Sequence, residues 1–108
     1  MNKVNILVIV AHLDDETFGM GGTLMELAKK DNVKVISVCK GRNSEDSVSR
    51  IKTFKELSKK YNYKTKIFDY WDLQLYKVSP AVLAGEIVDE IKKFQPEVIY
   101  TVAEDLHT

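Results

Sequence analysis

His12, Asp14, Asp15 and Glu16 place one imidazole and three carboxylates within a short stretch of chain. Imidazole with carboxylate is a donor set for Zn²⁺ or a similar divalent ion. A carboxylate beside the ion but not bound to it can take a proton from water. In a tight loop, adjacent carboxylates can point in different directions, one at a metal and the other at a substrate. The plainer alternative is a set of solvated acids, or caps for a following helix. His12 taken alone is more often a hydrogen-bonded structural histidine than a ligand.

The elements around this cluster must position it. Val4 to Val10 is a continuous apolar run, as in a strand covered on both faces. Further strands are expected over Val33 to Val38, Thr65 to Phe68 and Glu97 to Val102. Three helical stripes separate them: Met20, Leu24, Leu27 and Ala28; then Ile51, Phe54, Leu57 and Tyr61; then Leu83, Ile87, Ile91 and Phe94. Ser79 and Pro80 suit the cap and first position of the third helix, and Pro96 blocks its continuation. This β-α-β-α-β-α-β order predicts an α/β fold: a Rossmann-like parallel sheet with helices on both faces, four strands and three helices. The cluster then lies at the carboxyl edge, where open α/β sheets bind ligands. The irregular segments Lys40 to Asp46 and Asp69 to Val78 are expected at the same edge.

The run AHLDDETFGMGGTL, from Ala11 to Leu24, resembles the AHPDDE…GGTL signature of the LmbE-like, or PIG-L, zinc deacetylases. The resemblance implies a Rossmann-like domain that removes the acetyl group from an N-acetylglucosamine-type sugar conjugate. His12 and Asp15 would be metal ligands, with Zn²⁺ or another divalent metal as cofactor. Asp14 would be the general base that activates the zinc-bound water. Gly21 and Gly22 would let the helix start approach the site closely. Leu13 stands where the family usually has proline, which leaves that φ angle unfixed.

The match continues along the chain. Arg50 is expected to open the second helix where the family has a substrate-contacting arginine; a guanidinium suits a sugar hydroxyl or phosphate. The family's glutamate three residues on is Thr53 here. Asp72 matches a substrate-side aspartate after strand three, and Tyr70, Trp71 and Tyr76 are candidates for a sugar platform or a cover for the sheet edge. His107 fits the first histidine of the family's H-x-D-H motif, implying a role in polarising the substrate carbonyl. The motif's second histidine, the third zinc ligand, would fall three residues later, beyond Thr108. Residues 1–108 are therefore expected to be the N-terminal part of one deacetylase domain, whose open fourth strand would invite association into an oligomer.

Sixteen basic residues balance sixteen acidic ones, so no net field argues for nucleic acid or an anionic membrane. The apolar N-terminal run is too short for a membrane span or a signal segment, and the lone Cys39 needs no oxidising compartment. A cytoplasmic protein with a small-molecule sugar or glycoconjugate substrate is the plain reading. Cys39 as a metal ligand is weaker than Cys39 as a small buried residue at a strand end.

Three other classes compete. A receiver-like signalling domain would use Asp14 and Asp15 to bind Mg²⁺ and Asp69 or Asp72 as phospho-acceptor, but leaves His12, His107 and the glycine pair without a role. A dinucleotide-binding module fails because the third glycine position is Leu24. A non-catalytic relative of the deacetylases is opposed by the intact Asp14.

Overall fold

Residues 3–11, 21–41, 43–71, 74 and 77–102 are described by the computed structural model; for 21–25, 46 and 102 the description covers the backbone alone. Seven elements follow in order: β1 (Asn5–Val10), α1 (Gly21–Lys30), β2 (Asn32–Ser37), α2 (Ser44–Tyr61), β3 (Lys64–Ile67), α3 (Pro80–Phe94) and β4 (Val98–Val102). The strands form one parallel sheet in the order β3-β2-β1-β4.

The alternation along β1 explains the layering. Ile6, Val8 and Val10 face one side and join Val33, Val35, Ala28 and Phe54 in a core roofed by α1 and α2. Leu7 and Ile36 face the other, where Leu83, Ile87, Ile91 and Phe94 of α3 cover them. Both faces of β1 are thus apolar because both are roofed, which is why the strand reads as an unbroken run. The helix stripes of α2 and α3 meet the sheet as their spacing predicts.

Boundaries differ from the sequence expectation most at α2. It begins at Ser44, so Arg50 does not open the helix but sits in its second turn. The start reflects local chemistry rather than the apolar stripe. Asn43, a residue type favoured at helix caps, precedes it, and its carbonyl accepts the Ser47 N–H at 2.9 Å. Gly41 makes the turn into α2 with φ +126°, and a Cβ there would lie 3.1 Å from the Ser47 Cα. Glycine alone suits both that conformation and that approach.

Ser79 caps α3 with extended dihedrals and Pro80 follows at its start, although the Ser79 side chain makes no capping hydrogen bond. Gln95 ends the helix in the left-handed region and donates its N–H to the Ile91 carbonyl. No helix among the described residues is long and apolar enough to cross a membrane.

Candidate active site

The chain changes direction on the sheet at β1. α1 and α2 lead outward through β2 to β3 on one face, and α3 then returns on the other face to set β4 against β1. The carboxyl ends of β1 and β4 are therefore the point where the strand order reverses. That is where doubly wound sheets open a ligand crevice. Val10 pairs with Val102 across it.

Ala11, the residue before His12, is anchored: its carbonyl accepts the Cys39 N–H at 3.0 Å. The segment bearing His12, Asp14 and Asp15 thus leaves from a fixed position at the crevice. β4, which ends at Val102 beside Val10, precedes the segment bearing His107 in the chain. His12, Asp14, Asp15, Asp72 and His107 lie outside the described residues. Arg50 is half-buried on α2, toward the helix end nearest the carboxyl edge. Among the described residues no three His, Cys, Asp or Glu side chains gather to hold a metal.

Cys39 is fully buried in the core beneath α3, and its carbonyl accepts the Ser37 hydroxyl at 2.8 Å. It lies two residues past the end of β2.

The neighbouring exits of β2 and β3 are laced together. The Lys40 N–H donates to the Tyr70 carbonyl at 2.8 Å, and its ammonium pairs with the Asp69 carboxylate. The same ammonium lies 4.1 Å from the centroid of the Trp71 ring. The Tyr70 hydroxyl donates to Glu86 on α3 at 2.7 Å. That hydrogen bond, with burial second, raises the phenol's pKa above its ordinary value. Tyr70 packs against the α3-side core, so it covers the sheet edge and its ring is engaged there. Tyr76 lies outside the described residues.

Sequence reasoning did not single out Glu86 or Glu90. The available signal was their spacing, because both fall in step with the α3 stripe of Leu83, Ile87, Ile91 and Phe94. An acid in step with a buried stripe needs a partner. Glu86 has Tyr70. Glu90, 5% exposed, has Lys34 at 2.6 Å, which holds its carboxyl below the usual pKa.

Comparison with known proteins bears on the whole region. The family model for PIG-L, GlcNAc-PI de-N-acetylase, matches residues 7–107. No curated protein sequence matches the chain. Among solved structures, the chain is similar to a triple mutant of a deacetylase involved in the teicoplanin biosynthetic pathway, at 20% identity and TM-score 0.78. That match covers 91% of this chain and 50% of the other. It is also similar to the A40926 pseudoaglycone deacetylase Dbv21, at 16% identity and TM-score 0.72, over 91% of this chain and 50% of that one. A third is GalB, the 4-carboxy-2-hydroxymuconate hydratase of Pseudomonas putida KT2440, at 17% identity and TM-score 0.76, covering 89% and 45%. These likenesses show the shared fold, and a hydratase among them means that the fold alone does not choose the reaction. The chain spans about half the length of each of these structures.

Proposed function

Because the chain belongs to the PIG-L, or GlcNAc-PI de-N-acetylase, family, we propose that it is the N-terminal part of a zinc-dependent N-deacetylase domain acting on an N-acetylglucosamine-type sugar conjugate. The observation that carries this reading is the Val10–Val102 register. It sets the strand leading to His12, Asp14 and Asp15 beside the strand leading to His107, at the crevice of the sheet.

The donor chemistry fits a divalent ion, since a neutral imidazole and a carboxylate suit zinc. His12 and Asp15 would hold it. The bound ion would supply Lewis acidity toward the amide carbonyl and toward water. Asp14 takes the proton from the attacking water and returns it to the departing amine. His107 donates a hydrogen bond to the carbonyl oxygen as negative charge gathers there. Acetate and the free amino sugar are the products. Arg50, from the second turn of α2, and Asp72, after β3, bind sugar hydroxyls.

Two measurements test the reading. Calorimetric titration with Zn²⁺ is expected to show weak binding to the 108-residue chain, weakened further by His12→Ala or Asp15→Ala. In a chain carrying the rest of the domain, Asp14→Asn should slow acetate release from an N-acetylglucosamine conjugate by about 10²–10⁴-fold. Zinc binding indifferent to His12 and Asp15 sinks the metal assignment. Full acetate release by the Asp14→Asn variant sinks the assignment of the base.

A further inference from the structure

We propose that Lys40 is a positioning residue: it latches Asp69, Tyr70 and Trp71, the start of the loop after β3, against the carboxyl edge where the sugar would bind. The proposal rests on the deacetylase reading for what the loop does, but the latch itself stands on described contacts. Three of them run from this one residue to three successive loop residues. Its N–H donates to the Tyr70 carbonyl at 2.8 Å. Its ammonium pairs with Asp69 and lies over the Trp71 indole, 4.1 Å from the ring centroid.

The loop is fastened on its other side as well. The Tyr70 hydroxyl reaches Glu86 of α3 at 2.7 Å. The Trp71 N–H donates to the Gln74 side chain at 3.0 Å, and the Gln74 N–H returns to the Trp71 carbonyl at 3.0 Å. Asp72 follows Trp71 directly in the chain.

Energetics favour a positioning role over a merely stabilising one. The Asp69 side chain is 90% exposed, so its ion pair with Lys40 is largely screened by water and contributes little to global stability. What the ammonium does there is restrict orientation. It meets a carboxylate and an aromatic face at once, which a neutral side chain of the same length cannot do.

Trp71 is the one tryptophan in the chain, so its fluorescence reports the latch without interference. In Lys40→Met, which keeps the aliphatic stem and loses the charge, acrylamide quenching of Trp71 should rise about twofold or more as the indole face opens. Lys40→Arg should restore it, while the thermal midpoint stays nearly constant in both. Titration with methyl N-acetylglucosaminide, followed by Trp71 emission, should show affinity about two- to fivefold weaker in Lys40→Met and recovered in Lys40→Arg. Where turnover is measurable, the change should fall on KM and leave kcat alone.

Unchanged quenching in Lys40→Met overturns the latch, whatever the sugar does. Opened quenching with unchanged sugar affinity overturns the positioning role. An unsubstituted chain that binds no N-acetylglucosaminide while its quenching still depends on Lys40 counts against the sugar reading and leaves the latch standing.

Discussion

β1 and β4 are neighbours in one sheet, run parallel and have similar apolar sequences, NILVIV and VIYTV. Their surroundings are opposite. In β1, Leu7, Val8 and Val10 are 0% exposed. In β4, Val98, Ile99 and Tyr100 are 38%, 45% and 41% exposed. Successive strand residues point to opposite faces, so exposure at three in a row means that, among the described residues, neither face of β4 is fully covered. β1 has a strand on each side and helices on both faces. Among the described residues β4 has only β1 beside it. Apolar composition thus marks a strand as fit for burial, and the number of neighbours decides whether burial occurs.

β3 sharpens the contrast, because it is the other edge. It carries exposed Lys64 and Lys66, charges that discourage a further strand from pairing. β4 has no charged residue at all. One edge of the sheet is blunted and the other is not.

The largest effect should come from the centre. Leu7→Ala is expected to destabilise by about 2–5 kcal/mol, against about 1 kcal/mol for Ile99→Ala, in denaturant unfolding. Equal losses would mean that β4 is covered as fully as β1.

Next is Glu90, which ties α3 to β2 through Lys34 over the roofed part of the sheet. Glu90→Gln should lose about 1.5–3 kcal/mol, since it replaces a charged hydrogen bond and leaves Lys34 short of its partner. The same pair predicts a pH dependence. Lys34 lowers the Glu90 pKa in the folded state, so the stabilisation is complete above the ordinary glutamate value of about 4.3. It fades as the pH falls through the lower folded value. Unfolding midpoints measured down the acid limb should show a drop that Glu90→Gln flattens.

Gly41→Ala should cost about 1–3 kcal/mol, because it forces a side chain into a left-handed turn against Ser47. The smallest effect belongs to the open edge. Ile99→Lys should change stability by under about 0.5–1 kcal/mol, whereas the same substitution at Val8 should prevent folding. A well-folded Val8→Lys chain would break the comparison between the two strands outright.

Much of the fold was legible because each signal was local. Apolar β-branched runs and helical stripes placed every element, and Pro80 and Pro96 bracketed α3 at once. The start of α2 escapes the apolar stripe because its first turn, Ser44 to Ser47, is polar and carries no apolar period. Its signal was the turn at Gly41 and the polar cap position at Asn43. For the candidate site, the types of His12, Asp14, Asp15 and His107 could be read directly, as could Cys39 as a buried residue just past a strand end. Arg50 was placed at a helix start that the structure puts six residues earlier, at Ser44.

The sequence by itself determined the element order, the parallel sheet and the donor set that follows β1, since these depend on periodicity and on residues adjacent in the chain. Only the tertiary structure decided which strand ends meet, that Lys40 and Glu86 engage Asp69, Tyr70 and Trp71 between them, and that β1 is enclosed while, among the described residues, β4 stands open. These are relations between residues distant in sequence. They are set by the crossing of α3 to the second face, and no local pattern encodes that crossing.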